Sequence, residues 1–521
     1  MTRLERVLGR SPSLKSPVTD SLVVAAIGGG AYIAFRAINY DSNGVRIARE
    51  IELGHMPWAN HLLFEASGYV ATQVAGLVGH TGPSFSLLLI LSALFGGVAL
   101  GATNLAARRT GSGRLEAIAA TVWLGSTYAF WKWSTNVAYV SMAAMLVALS
   151  LAQLWSETSP RTLVITGIIG ALSALAWEAN VFLLPVLIVG VRLQFESWRE
   201  WRRSSLYLVA AWAGTLGFAY AVLVYEWRLP DLRSIGKFMV TWGGASPGPR
   251  WGHWGWDRIG KFAQTWIHSV IGRIAFPPSW FLVPPLRFNI TLHSLSLIAL
   301  VILFVVPVFS FRRRWMDPMG LFFLFGIAAY LPFVIWWDPF ETKWLLVPNI
   351  FLALFVARFW SQLYKKSIRT GRAVLLLAIT VLTVSNVAVY GMPEHTRQSE
   401  EQKVGQCVGS RLHPADLYLD PEWDFSTFMA YKYGRNRFDL VALLLQLKLN
   451  KARMLRALEG QVRSHQAAYG DVYISDPLSR HFNLLDEWAG ITSADLDGLL
   501  PGGVAFTCEG WQIRKVDLLP R

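Results

Sequence analysis

The sequence predicts a polytopic α-helical membrane protein of about eleven transmembrane helices, followed by a small C-terminal α/β domain. Hydrophobic residues occupy 53% of the 521 positions and charged residues only 16%. The mean hydropathy is +0.36, which is too apolar for a soluble chain of this length. Apolar runs near the roughly 20 residues that cross a bilayer recur through the first three quarters of the chain. The composition then changes to that of a soluble domain.

Eleven apolar runs are candidate spans, and the shortest need flanking residues to cross the bilayer. They are Ser21–Ile38, Ser84–Ala106, Leu115–Trp133, Ala138–Trp155, Thr162–Trp177, Asn180–Val191, Leu206–Tyr225, Leu295–Phe311, Leu321–Trp337, Trp344–Trp360 and Ala373–Val389. If alternate loops are cytoplasmic, the basic segments at 3–15, 108–114, 192–203, 312–314 and 358–372 share one side. This positive-inside pattern predicts an integral plasma (inner) membrane protein with a cytoplasmic N-terminus and an extracytoplasmic C-terminal domain.

The net charge of +14 does not indicate nucleic-acid binding. A nucleic-acid surface needs a continuous basic patch on one soluble face, whereas these charges are dispersed over loops. The bilayer is therefore a predicted partner and nucleic acid is not. No cleavage site follows the first apolar run, so we expect the first span to be retained.

Residues 1–391 are predicted to form the membrane domain, with outer loops at 39–82 and 226–294, and residues 392–521 the soluble domain. The second loop is long and rich in Trp, Gly and Pro, and such loops are more often functional than idle. Within it, apolar residues recur at spacings of three and four and predict an interfacial amphipathic helix over Trp256–Ile274. They are Ile259, Phe262, Trp266 and Val270.

The C-terminal segment has the pattern of a small α/β domain. "ADLYLDP" and "GDVYISDP" predict short strands, "GGVAFTC" and "WQIRKVDL" a terminal hairpin, and "DLVALLLQLKLNKARMLRALEGQVRSHQAA" helices. It contains no Gly-rich phosphate loop and no metal-spaced His/Cys set, so it suggests no chemistry of its own. Cys407 and Cys508 both fall on the predicted outer side, where either a disulfide or two free thiols is compatible with the sequence.

Asp41 is the main catalytic candidate, because it lies about one turn beyond the first span. Ionisable residues near membrane depth are costly and are functional candidates for that reason. A carboxylate under the outer loops can act as a general base toward an acceptor hydroxyl or amine. The alternative is that Asp41, Ser42 or Asn43 simply caps the helix "VRIAREIEL" that follows, as Asp, Ser and Asn commonly do.

A second group of candidates lies at other predicted outer ends of spans. Lys343 can meet an anionic lipid headgroup as a point charge, with Glu341 orienting it, or can be a lysine extending from a helix end to the interface. Lys132 lies among aromatic residues, Glu178 lies in a tight apolar turn and needs a partner, and Arg250 lies in the Trp-rich loop. Each of these three can also be an interfacial anchor.

Taken together, these positions resemble the membrane glycosyltransferases of the GT-C fold, the class that includes protein mannosyltransferases and lipid A aminoarabinose transferases. The segment "ELGHMPWANHLLFE", which contains His61, is similar to the stretch that follows the family's first acidic residue. The segment "ETKWLLVPNIFLALFVARF", which contains Lys343, is similar to the family segment at the polyprenyl-phosphate donor.

The resemblance implies transfer of a sugar from a polyprenyl-phosphate or polyprenyl-diphosphate carrier to a glycan, lipid or protein acceptor on the non-cytoplasmic face. It places Asp41 at the catalytic acidic position and Lys343 near the donor phosphate. The other substrate-binding candidates, chosen from their own positions in the sequence, are His61, Lys132, Glu178, Arg250 and Glu341. "YDSN" has one acidic residue where many members have two, so no metal site and no cofactor are predicted, and a divalent metal stays an open alternative.

Two other functions remain as alternatives at this stage. A non-catalytic membrane scaffold would bind a partner through its outer domain, and the sequence is compatible with that. A lipid or solute transporter predicts charges along a path through the middle of the spans. The ionisable candidates cluster instead at the predicted outer ends, which favours the transferase.

Overall fold

The computed structural model describes residues 15–39, 41–54, 61–79, 82–227, 252–272, 294–303, 317–363, 368–396, 398–421, 425–475 and 484–518. The chain divides into two compact units. The membrane unit consists of Met1–Ala37, Met56–Leu229 and Trp254–Thr396. The tail unit consists of Ile38–His55, Pro230–His253 and Arg397–Arg521, so it takes in the start of the first predicted outer loop as well as the C-terminal segment.

Helices dominate the chain up to Thr396. In chain order they are α1 Lys15–Ala34, α2 Ser42–Glu52, α3 Leu62–Leu77, α4 Ser84–Arg109, α5 Arg114–Ser126, α6 Tyr128–Thr135, α7 Tyr139–Leu154, α8 Pro160–Ala176, α9 Leu183–Gln194, α10 Trp198–Trp227, α11 Trp256–Ile271, α12 Ser294–Leu303, α13 Pro318–Trp337, α14 Leu346–Leu363, α15 Ile368–Asn386 and α16 Met392–Thr396. Short 3-10 turns at Glu178–Phe182 and Thr342–Leu345 precede α9 and α14, and a π turn at Val387–Gly391 follows α15.

Six helices of the described part are long and apolar enough to cross a membrane, and a seventh span is counted if the bent pair α6–α7 is taken as one. The six are Pro17–Ala34, Ser84–Arg109, Trp198–Val222, Pro318–Trp337, Thr342–Leu363 and Thr370–Arg411. The predicted number of eleven therefore stays a prediction. The run at 115–133, for example, is divided between α5 and α6, because Thr127 is extended at φ −59° and ψ 145°.

The first two long spans pack through small residues. A Cβ atom on Gly97 of α4 would lie 2.6 Å from the backbone nitrogen of Gly29 in α1, so the two backbones touch at this point. Close approach of this kind at small residues is a common way for helices to associate in membranes. The Oγ of Ser21 also donates a hydrogen bond to Oδ1 of Asn104, at 3.1 Å.

The tail unit contains a mixed five-stranded sheet in the order β2-β1-β3-β5-β4. Its C-terminal elements are α17 Glu400–Arg411, β1 Leu417–Asp420, α18 Phe425–Tyr433, β2 Asn436–Asp439, α19 Leu440–Gln446, α20 Lys451–Ala468, β3 Val472–Ser475, α21 Leu484–Ala489, α22 Ser493–Leu499, β4 Gly502–Cys508 and β5 Trp511–Val516. Strand β1 pairs in parallel with β2 and β3, while β5 pairs antiparallel with β3 and β4. The two predicted strands, the terminal hairpin and the helical stretch are confirmed.

Cys407 and Cys508 form a disulfide, with their Cα atoms 5.7 Å apart. The bond joins α17 to the end of β4, and it resolves the alternative that the sequence left open. Around it, Val404, Val408 and Ile513 are buried in one hydrophobic cluster of the tail unit. The disulfide therefore reinforces the contact between a helix and the antiparallel edge of the sheet.

Candidate functional site

Asp41 caps α2. Its Oδ1 accepts hydrogen bonds from the backbone N–H groups of Asn43, at 3.1 Å, and Gly44, at 3.2 Å. These two donors belong to the helix end, where backbone N–H groups have no partner inside the helix. Both cap hydrogen bonds use Oδ1, so Oδ2 lies outside the cap. The capping role is observed, and because only one oxygen performs it, a catalytic role is chemically compatible with it.

Helix α2 is built into the tail unit. It packs against α18, and Val45, Ala48 and Ile51, spaced three residues apart, are buried. At its last turn, the hydroxyl of Tyr431 donates a 2.7 Å hydrogen bond to Oε1 of Glu52. The helix that begins at Asp41 is thus held by the C-terminal part of the chain, although it lies in the first predicted outer loop.

In the membrane unit, two lysines converge on one tryptophan ring. The Nζ of Lys132 lies 5.0 Å from the centroid of the Trp133 ring, and the Nζ of Lys343 lies 5.8 Å from it. Lys343 also lies 4.6 Å from the ring centroid of Trp344, and Lys132 lies 5.7 Å from that of Tyr128. Cation–π contacts hold an ammonium group in place without neutralising it. We call these five residues the lysine–aromatic cluster.

A hydrogen bond fixes the two backbone segments that carry this cluster. The indole Nε1 of Trp133, in α6, donates to the Oγ1 of Thr342 at 3.2 Å. Thr342 opens the 3-10 turn that leads into α14, and Glu341 occupies the position just before that turn, where it is half-buried. The structure therefore brings the predicted residues Lys132, Glu341 and Lys343 into one neighbourhood, although two of them are more than 200 positions from the third.

The turn at Glu178 adjoins this neighbourhood. The indoles of Trp177 and Trp344 stack with their centroids 5.2 Å apart. Burial raises the pKa of the Glu178 carboxyl to about 7, and the positive charge of Lys343 partly opposes this increase. The next polar residue of the turn, Asn180, is fixed because its Oδ1 accepts a hydrogen bond from the Tyr330 hydroxyl, at 3.1 Å.

The amphipathic helix of the second predicted loop is present as α11, and its buried face includes a charged residue. Ile259 is 45% exposed, whereas Arg258 beside it is only 1% exposed. The helix ends at Ile271, its C-cap residue Gly272 has a φ of +73° that favours glycine, and a Cβ there would clash with the Tyr390 ring. The predicted last residue, Ile274, lies outside the described residues.

Arg258 is buried because it caps another helix. Its guanidinium donates to three carbonyls at the end of α13, those of Ile335 (2.9 Å), Trp336 (3.1 Å) and Trp337 (2.9 Å). A cation is favourable at the negative end of a helix dipole, and three carbonyl acceptors compensate its burial. Because these carbonyls precede the loop to Lys343, Arg258 supports the segment that carries the lysine.

The remaining predicted residues are less closely tied to this neighbourhood. The ring of His61 stacks on Tyr139 with centroids 3.4 Å apart. Arg250 lies outside the described residues. Within the described ranges, no group of three or more His, Cys, Asp or Glu side chains could hold a metal ion. The mechanism proposed below uses no metal, and a divalent metal remains the alternative that the sequence left open.

The fold of this chain is similar to that of solved membrane-protein structures. No family model and no curated protein matches the sequence. The undecaprenyl-phosphate-bound ArnT of Cupriavidus metallidurans is 14% identical, with 95% of this chain and 97% of that chain covered and a TM-score of 0.58. The oligosaccharyltransferase of Archaeoglobus fulgidus, complexed with Zn and sulfate, is 11% identical, with 92% and 71% covered and a TM-score of 0.51. The chain has the GT-C fold.

The GT-C fold agrees with the resemblance that the sequence showed and, with the long apolar helices, makes the chain an integral membrane protein. At identities of 14% and 11% the likeness establishes the fold and does not establish the reaction. Three residues that support the neighbourhood were not singled out from the sequence: Arg258, Thr342 and Tyr330. The sequence position of Arg258 could have indicated its burial, because it lies four residues before the apolar Phe262 and therefore on the same face of the helix.

Proposed function

We propose that the protein transfers a sugar from a polyprenyl-phosphate or polyprenyl-diphosphate carrier to a hydroxyl or amine acceptor on the non-cytoplasmic face of the membrane. The observation that carries this proposal is the convergence of Lys132 and Lys343 on the ring of Trp133. Two ammonium groups near one apolar surface repel each other, and an anion between them lowers that cost. A phosphate attached to an apolar chain has the required combination of charge and hydrophobicity.

The likeness to the ArnT structure, which contains undecaprenyl phosphate, supports a polyprenyl phosphate as the anion. In the proposed reaction, Lys343 and Lys132 neutralise the donor phosphate and improve it as a leaving group. Asp41 Oδ2 takes the proton of the acceptor as it attacks the sugar carbon from the opposite side, which inverts that centre. The protein thus acts mainly by positioning and electrostatics.

The roles of the other residues follow from their chemistry. Glu341, next to the turn of Lys343, orients the lysine, and His61 and Arg250 belong to the substrate-binding surface of the first and second loops. The acceptor is a glycan, a lipid or a protein. The dispersed basic loops favour a cytoplasmic N-terminus and extracytoplasmic residues 392–521, which is the orientation that this reaction requires.

Lipid binding by the purified full chain tests the proposal. Trp133 and Trp344 contribute to the intrinsic fluorescence of the 24 tryptophans, and titration with undecaprenyl phosphate should change this fluorescence at lower concentration than titration with undecaprenol. Lys343→Gln should weaken undecaprenyl phosphate binding about tenfold, or about 1.4 kcal/mol. Lys261→Gln, on an exposed position of α11, is the matched control and should bind normally. Equal binding of the alcohol and the phosphate by the unmodified protein would overturn the proposal.

A further inference from the structure

Three buried polar atoms on residues adjacent to one another in the chain or in ring contact have no hydrogen-bond partner in the described part of the protein. Among the described residues, Oε2 of Glu178 and Nε1 of both Trp177 and Trp344 are buried and have no hydrogen-bond partner. A buried donor or acceptor left without a partner costs about 1–3 kcal/mol, so such atoms need an explanation. The two indoles stack on each other, and Glu178 and Lys343 are their chain neighbours. Two of these atoms are N–H donors and a protonated carboxyl is a third donor, so a ligand with several acceptor oxygens, such as a phosphate, would satisfy all three.

The charged and titratable groups that face Glu178 come from three directions. Lys343 faces it from the 3-10 turn, and Tyr220 interacts with it from α10. Tyr330 of α13 donates to the neighbouring Asn180. Tyrosines are neutral near pH 7, so Lys343 supplies the positive charge that acts on Glu178.

We propose that Glu178 is a catalytic acid of this site, whose carboxyl proton passes to a phosphate oxygen of the donor held at Lys343. The proposal rests on the proposed function and adds a proton donor to it. Its chemistry requires a carboxyl that still carries its proton near neutral pH, and burial of Glu178 provides this. The two indole N–H groups would donate to the same phosphate or to the sugar hydroxyls.

The atoms and charges of the step balance. The bond between the sugar carbon and the phosphate oxygen breaks with its electron pair on the phosphate, and the bond from the acceptor oxygen or nitrogen to the sugar carbon forms. The acceptor proton goes to Asp41, and the Glu178 proton goes to the departing phosphate. The polyprenyl phosphate leaves with one negative charge instead of two, which is favourable in a water-poor site. Asp41 then releases its proton to solvent and the Glu178 carboxylate takes one up from solvent, so both groups return to their starting states.

The sign of the pH dependence follows directly. Below about pH 7 the Glu178 carboxyl carries its proton and can act, and above about pH 7 it is ionised and repels the phosphate. Turnover should therefore fall on the alkaline side with an apparent pKa near 7. Glu178→Gln keeps a hydrogen-bond donor but has no transferable proton. We expect it to lower kcat about 100-fold at pH 6.5 and to remove this alkaline limb.

Measuring proton uptake when the lipid binds tests the acid role of Glu178 without requiring turnover. Calorimetric titration of the full chain with the methyl ester of undecaprenyl phosphate, at pH 7.5 in buffers of different ionisation enthalpy, counts the protons taken up. The ester has no second phosphate ionisation of its own. Uptake of up to one proton per lipid by the unmodified protein, and none by Glu178→Gln, is expected.

The outcomes separate this inference from the proposed function. Phosphate-dependent binding with no proton uptake, or with the same uptake in Glu178→Gln, would overturn the acid role and leave the proposed function intact. Absence of phosphate-dependent binding would overturn the proposed function and the acid role with it. If Glu178→Gln does not fold, the unmodified protein alone can still overturn the acid role, because lipid binding seen by fluorescence without proton uptake would contradict it, and Glu178→Asp then replaces Glu178→Gln as the variant whose uptake should be reduced.

Discussion

The hydroxyl of Tyr431 donates a 2.7 Å hydrogen bond to Oε1 of Glu52. Tyr431 belongs to α18 in the C-terminal segment, and Glu52 is the last residue of α2, which begins just after Asp41. The sequence separation between the two is 379 residues. The proposed base thus depends for its position on a segment that carries no predicted chemistry, and this gives the C-terminal segment a function within the proposed reaction.

Tyr431→Phe should loosen α2 without unfolding the tail unit. The hydrogen bond is exposed, so its loss should cost no more than about 1 kcal/mol, and kcat should fall about twofold to fivefold because Asp41 is less well placed. Steady-state kinetics should show an unchanged KM for the donor. Tyr469→Phe, at an exposed tyrosine of the same unit, is the control. A Tyr431→Phe enzyme with full kcat would remove this positioning role.

Asp41→Asn distinguishes the base from the cap. Asparagine is as good an N-cap residue as aspartate, so the variant should fold and melt normally. It cannot accept the acceptor proton, and transfer should fall by about 100-fold or more. Asp439→Asn, which changes the cap of α19 in the same unit, is the matched control and should remain active. Full transfer by Asp41→Asn would reduce Asp41 to a helix cap.

The disulfide should contribute strongly to the stability of the tail unit. It closes a loop with a sequence separation of 101, and the chain-entropy treatment assigns about 4.7 kcal/mol to a loop of about 100 residues. The double variant Cys407→Ser/Cys508→Ser should expose the tail unit to protease at a lower temperature. Reductant should have the same effect on the unmodified protein and none on the variant. Equal protease resistance in all samples would contradict this.

Local patterns predicted the elements of the tail well. "GGVAFTC" and "WQIRKVDL" became β4 and β5 because alternation and a short turn suffice to define a hairpin. The cap of α2 was also foreseeable, as an alternative, from Asp41 and the two residues after it. In each case the information lies within a few positions of chain, and the physical cause is local.

The contacts around Lys343 join residues that are far apart in the sequence, so local sequence patterns do not predict them. Trp133 meets Thr342 across 209 positions, and Arg258 meets Ile335 across 77. The spacing of apolar residues predicted that α11 is an interfacial amphipathic helix and gave no role to Arg258. The carbonyls at the end of α13 instead made burial of a guanidinium favourable, and that acceptor set is visible only in the folded chain.

Arg258 provides the sharpest test of how this neighbourhood is supported. Arg258→Gln leaves at least two of the three carbonyls at the end of α13 without a donor, and we expect it to lower the free energy of unfolding by about 3 kcal/mol. Arg258→Lys should restore part of this, since an ammonium keeps the charge but lacks the planar fork. Thermal unfolding of the detergent-solubilised protein measures both changes.

The same substitution should act on the lipid site through Lys343. The three carbonyls precede the loop that ends at the lysine, so their displacement moves the ammonium away from Trp133. Undecaprenyl phosphate affinity, measured by tryptophan fluorescence, should therefore fall about tenfold in Arg258→Gln at a temperature where the protein is still folded. Lys261→Gln, which removes an exposed charge from the same helix, should change neither stability nor affinity. A destabilised Arg258→Gln that binds the lipid normally would show that the cap supports the fold alone.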